Sequence, residues 1–317
     1  MADEARDRNE SGAPEVVVDQ NQELESESAM SSEETPPSTG DRLLRYTLPP
    51  LAIAGGIGAF ELLRGRFQRS QVFLPSRYPT GIWDPSLYGL PFADAWFASE
   101  DGTQLHGWWI RHPKAQATVI YCHGNSGSIA DRVDVFRQLR RLKINIFAFD
   151  YRGYGRSAGE PSEKGLFQDV RAACDHMTGE LGVGFGELLL FGHSLGGAVA
   201  VDGAMHRPVA GLVVQSSFTD LREMVRYLYP NFPMHLITRN EFRSIAKVGN
   251  LTMPKLFLHG TEDGAVPFAL GQRLFEAAAE PKIWYPVANA GHNDIYLHGG
   301  MRYFRALTRF RKHCVGR

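Results

Sequence analysis

The chain has 317 residues, enough for one large domain or two small ones with ample core. Hydrophobic residues make up 43% and aromatics 11%, an ordinary balance for a soluble globular enzyme. The net charge of −1 hides an asymmetry, with residues 1–40 at −9 and the remainder at +8, and no nucleic-acid motif accompanies that basic excess.

Residues 1–41 are rich in Glu, Ser, Asp and Pro and hold no aromatic residue. Such a segment cannot bury enough apolar surface to offset its ordering entropy, so it reads as a disordered acidic tail. It lacks the basic start and apolar run of a secretory signal. Residues 42–69 follow, with an apolar run over 46–63 and arginines on both flanks. Tyr46–Phe60 carries no charge but falls short of the ~20 apolar residues of a spanning helix. Three readings fit: a short membrane span, an interfacial anchor, or a helix packed on the domain. Membrane association is the leading expectation. The arginine excess on the C-terminal side then places the catalytic domain in the cytoplasm, and a soluble cytoplasmic protein is the alternative.

Residues 70–317 read as one catalytic domain. ADAWFAS and QLHGWWI flank Glu100-Asp101-Gly102-Thr103 and predict a hairpin. Apolar runs then alternate with helical segments. ATVIYCHG predicts a strand with a helix around 128–141. INIFAFDY predicts a strand with a helix around 162–179, and ELLLFGHS one with a helix around 195–206. VAGLVVQSS and KLFLHG are further strands, the latter followed by a helix around 267–279. KIWYPV is the last strand, and residues 299–313 make the last helix. Continuous Val/Ile/Leu/Phe strands are buried on both faces, as in a mostly parallel sheet covered by helices. Residues 218–252 interrupt the rhythm, and their apolar stretch MVRYLYPNFPMHLI predicts a small cap. Cys122 lies in a strand and reads as an inert core thiol. The three cysteines fit no zinc spacing, and a reducing compartment is the default.

Gly192-His193-Ser194-Leu195-Gly196 matches G-x-S-x-G at a strand-to-helix joint, the context in which that motif presents a nucleophile. A serine needs a base, and the base needs an orienting acid. Asp263 follows the KLFLHG strand, and His292 lies in the loop after KIWYPV, in the order Ser, Asp, His. His193 is excluded as base because it adjoins Ser194 in the elbow. Glu262 and Asp220 remain alternatives for the acid.

The oxyanion donors are the backbone amides of Leu195, after the nucleophile, and Asn125, in the loop His123-Gly124-Asn125-Ser126-Gly127. Asp150 and Arg152, in DYRGYGRS, read as a charged pair tying neighbouring loops. Met224, Tyr227, Tyr229, Phe232 and Met234 are candidates for an acyl pocket, with packing of the cap as the plain alternative. No metal or organic cofactor is implied.

With these residues in place, the chain resembles the α/β-hydrolase superfamily over roughly residues 90–315. The markers are YCHGNSG, DYRGYGRSAGEPSEKGL, GHSLGGAVA, HGTEDGAVP and AGHND. It looks like the membrane-anchored α/β-hydrolase-domain proteins and the serine-aminopeptidase-type hydrolases. The resemblance implies the α/β-hydrolase fold and substrates ranging from acylated proteins to lipids and small esters. The acidic tail departs from that pattern, as does the lack of a Cys-rich N-terminal stretch. A serine at the elbow argues against dehalogenase and epoxide hydrolase chemistry. The reaction expected is hydrolysis of a carboxylic ester or thioester through an acyl-enzyme, on a small-molecule or acylated substrate. A serine aminopeptidase is the alternative, with Glu223 or Glu241 to hold an amine. A catalytically retired binding protein is a third reading.

Overall fold

The computed structural model describes residue 63 and residues 65–231, 233–239 and 241–316. The expectations for the acidic tail and for residues 46–62 lie outside the described residues, as does Phe232. No helix among the described residues is long and apolar enough to cross a membrane.

The elements run in order: helix α1 over residues 65–72, β1 Leu74–Pro75, β2 Ala93–Ala98, β3 Gln104–Ile110, β4 Thr118–Cys122, β5 Ser126–Gly127, α2 Val133–Arg140, β6 Asn145–Asp150 and α3 Glu163–Gly179. They continue with β7 Leu188–His193, α4 Leu195–His206, β8 Gly211–Gln215, α5 Leu221–Leu228, α6 Met234–Ile237, β9 Lys255–Gly260, α7 Phe268–Ala277, β10 Lys282–Val287 and α8 Ile295–Val315. Eight strands form one sheet in the order β10-β9-β8-β7-β4-β6-β3-β2. Its strands are parallel except at β3, which runs antiparallel to both β2 and β6. A second, two-stranded ladder pairs β1 with β5.

Every residue of β4, β7, β8 and β9 is buried. Side chains alternate between the two faces of a strand, so such strands need apolar residues at every position. Ile120 and Leu190 enter the core layer that includes α3 and α4. Val119, Tyr121, Leu189 and Phe191 enter the layer that includes α2 and α8. Each such side chain, fully buried, contributes about 1.5–3 kcal/mol.

Three local features differ from the sequence expectation. The helix anticipated around 128–141 is broken. Ser128 and Asp131 cap each other around a 3-10 turn at Ile129–Asp131, and α2 starts only at Val133. The last helix begins at Ile295, and Gly300, at φ 46°, interrupts it. Asp150 and Arg152 do not pair with each other. Arg152 instead binds Asp101 at 2.7 Å and Asp169 at 2.8 Å and donates to Ser99 Oγ at 3.0 Å. This ties the β2–β3 hairpin to α3.

Asp169 is fully buried. Arg152→Ala would leave it without its charge partner, and breaking a buried pair from one side typically costs about 3–5 kcal/mol. Urea unfolding of Arg152→Ala should show a loss of about that size.

Candidate active site

Ser194 sits between β7 and α4 at φ 56° and ψ −122°. For a non-glycine residue this backbone is strained by about 1–3 kcal/mol. The surroundings enforce it. A Cβ on Gly192 would overlap the Gly196 carbonyl oxygen, and one on Gly196 would overlap the carbonyl oxygen of Cys122. The G-x-S-x-G glycines therefore allow β7, α4 and β4 to meet without side chains between them. The Ser194 amide donates to Gln215 O at 2.9 Å, which ties the joint to β8.

Asp263 follows β9, and His292 follows β10. His292 Nδ1 lies 2.8 Å from Asp263 Oδ2 and 3.0 Å from Oδ1. The carboxylate also accepts the amides of Ala265 at 2.9 Å and Val266 at 2.8 Å. His259 Nε2, on β9, lies 3.3 Å from Asp263 Oδ2. Burial alone would push the Asp263 carboxyl up. Hydrogen bonds from His259, His292 and the Val266 amide outweigh burial and hold it well below the usual carboxylate range. An ionised Asp263 fixes the His292 proton on Nδ1 and leaves Nε2 as the free nitrogen.

His193 faces this loop. Its ring centroid lies 4.9 Å from that of His292, and its Nε2 donates to the His292 carbonyl at 3.1 Å. Burial, reinforced by His292, pushes His193 down to about 3, so it stays neutral at physiological pH. Sequence reasoning excluded His193 as a base but missed that it anchors the loop carrying His292. No hydrogen bond joins Ser194 Oγ to His292 among the described residues.

The loop after β4 lies against the elbow: a Cβ on Gly124 would come 3.4 Å from Ser194 Cβ. The Asn125 amide makes no backbone hydrogen bond among the described residues. Leu195 is the first residue of α4, where amides lack a partner within the helix. The Asn125 side chain is committed elsewhere, donating to Val72 O at 3.1 Å. The Leu74 amide donates to Asn125 O at 2.9 Å, and the Ser76 amide to Gly127 O at 3.1 Å. β1 thus straps onto this loop. A two-residue strand carries no periodic pattern, so the sequence held no signal for it.

Met224 packs partly buried against the core, and Met234 is half-buried. Tyr227 and Tyr229 are 56% and 51% exposed. Of the acids weighed for an amine pocket, Glu223 pairs with Arg273 and accepts from Thr219. Burial pushes the Glu241 carboxyl up.

A family model described as serine aminopeptidase, S33, matches residues 113–244. An uncharacterised protein of Mycobacterium tuberculosis is 38% identical over 247 residues, covering 77% of this chain and 86% of that protein. The alpha/beta hydrolase domain-containing protein WAV2 of Arabidopsis thaliana is 31% identical, covering 77% of this chain and 87% of its own. The chain belongs to the α/β-hydrolase superfamily. Solved structures agree on the fold. The Pyrococcus furiosus esterase Pf2001 superposes at a TM-score of 0.64 with 20% identity, over 77% of this chain and 98% of that one. An α/β-hydrolase of Vibrio vulnificus superposes at 0.60 with 20% identity, over 70% and 82%. As a member of this superfamily the protein is a hydrolase.

The strained backbone at Ser194 has a measurable consequence in this α/β-hydrolase. Ser194→Gly relieves the left-handed φ, so its urea midpoint should rise by the equivalent of about 1 kcal/mol.

Proposed function

We propose that this hydrolase cleaves carboxylic ester or thioester bonds through an acyl-enzyme on Ser194. The observation that carries the reading is the Asp263–His292 pair, held at 2.8 and 3.0 Å on the loops beside the elbow. In this reading His292 Nε2 takes the Ser194 proton as Oγ attacks the carbonyl carbon. The tetrahedral oxyanion receives hydrogen bonds from the Asn125 and Leu195 amides. His292 then returns the proton to the leaving alcohol or thiol. Water, deprotonated by the same imidazole, releases the acid and restores Ser194. Asp263 keeps the imidazole in the required tautomer and stabilises its cation. The open Ser194–His292 contact is compatible with this, because catalytic hydrogen bonds in substrate-free sites often tighten only when substrate binds.

Two observations support an ester over a peptide. Glu223 is paired with Arg273 and so offers no free carboxylate to an amine, and burial pushes the Glu241 carboxyl up. The cap side chains Met224, Tyr227, Tyr229 and Met234 offer apolar surface to an acyl chain, with Phe232 as a further candidate. The match to a serine aminopeptidase model sustains the peptidase as the second reading.

The full-length protein should hydrolyse p-nitrophenyl esters and favour longer acyl chains. Ser194→Ala should lose about 10⁶-fold in kcat and Asp263→Asn about 10⁴-fold, both with little change in KM. Serine-dependent cleavage of aminoacyl anilides, with none of esters, would move the assignment to the peptidase.

A further inference from the structure

Beneath the oxyanion loop lies a second histidine–aspartate contact that the reaction above does not use. His123 and Asp150 are both fully buried, with His123 Nε2 at 3.5 Å from Asp150 Oδ1. We propose that Asp150 and His123 share one proton and, through the Gly124 carbonyl, aim the Asn125 amide at the oxyanion. This rests on the reading of Ser194 as the nucleophile.

The peptide between Gly124 and Asn125 links the two residues to the site. In a trans peptide the C=O and the following N–H point in opposite directions within one plane. His123 Nδ1 donates to Gly124 O at 2.8 Å. Holding that carbonyl sets the Asn125 N–H on the opposite edge of the same plane. The neighbouring carbonyls are held as well. Tyr151 donates its hydroxyl to His123 O at 3.0 Å, and Tyr154 to Asn125 O at 2.8 Å. Their rings flank the imidazole at centroid distances of 4.3 and 5.1 Å.

A neutral imidazole that donates from Nδ1 has a bare Nε2. That atom has no hydrogen-bond partner, and neither has Asp150 Oδ2. Asp150 Oδ1 already accepts the Ile129 amide at 2.8 Å. Two acceptors facing each other away from water are unfavourable unless a proton lies between them. Burial places that proton on the acid: it pushes Asp150 up to about 8 and His123 down to about 3. Of the charged groups around the pair, Asp131 pushes Asp150 further up and Arg132 pulls it down. His106, opposite Asp150 on β3, is engaged with Asp94 at 2.6 Å. Tyr151 and Tyr154 are themselves pushed up by burial and stay neutral. At neutral pH the protonated Asp150 donates to His123 Nε2, and the imidazole keeps its Nδ1 proton for Gly124. Above about pH 8 the carboxylate forms against a bare nitrogen, and the loop loses its support.

Asp150 and His123 are therefore positioning residues, and the test must separate positioning from packing. Asp150→Asn cannot ionise, but Oδ1 both accepts from Ile129 and faces His123 Nε2, so an amide there keeps only one of the two contacts. Its kcat at neutral pH should fall by less than about tenfold, and the fall in wild-type kcat near pH 8 should disappear. Asp150→Leu removes the donor and should lower kcat by at least about tenfold at unchanged KM, as for a weakened oxyanion donor. A wild-type alkaline fall retained in Asp150→Asn, or wild-type kcat in Asp150→Leu, would overturn the proposal. Histidine ¹⁵N NMR of the wild-type full chain gives a readout independent of turnover and of variant folding. His123 should be protonated at Nδ1 and should not titrate near its ordinary value of 6.5. An Nε2-protonated or freely titrating His123 would refute the pair. Absence of Ser194-dependent turnover with the expected His123 signature would refute the functional reading instead.

Discussion

The close approach of three backbones at the elbow is the constraint on which the site depends. Gly196 touches the carbonyls of Cys122 and His123, and Gly192 touches Gly196. No side chain fits between β4, β7 and α4 there. That contact forces Ser194 into its strained conformation and brings the loop of Asn125 against it. The large flanking core offsets the strain, since β4 and β7 are buried along their whole length.

Electrostatics around the joint follow from the same burial. His193 and His123 are both pushed down to about 3, so both remain neutral scaffolding. His193 steadies the loop bearing His292, and His123 steadies the loop bearing Asn125. Asp263 differs because its hydrogen-bond donors outweigh its burial, and it stays ionised. Asp150, fully buried with a single amide donor, moves the opposite way. Two aspartates at the same edge of the sheet thus carry different charges, set by how many donors each receives.

Much of this was legible in the sequence. Uninterrupted apolar runs marked the buried strands, and the strand order placed Ser194, Asp263 and His292 on loops at the carboxyl edge. The features that escaped lack a local signature. β1 is only two residues long and exists through its pairing with β5. The break before α2 depends on reciprocal capping by Ser128 and Asp131, which an apolar period does not reveal. Asp150 and Arg152 are two residues apart and looked like one charged pair. Only the fold shows them facing different partners, Ile129 and His123 for one, Asp101 and Asp169 for the other. The cap's aromatic residues read as pocket candidates from composition alone, and the fold adds that Tyr227 and Tyr229 are more than half exposed.

A nucleophilic Ser194 becomes acylated during turnover. Rapid mixing of the full-length protein with p-nitrophenyl acetate, followed by intact-mass and peptide analysis, addresses it directly. The expected result is a burst of about one p-nitrophenolate per chain and an acetyl group on the peptide containing Ser194. Release that is linear from zero time with no adduct, or an adduct on another residue, would contradict it.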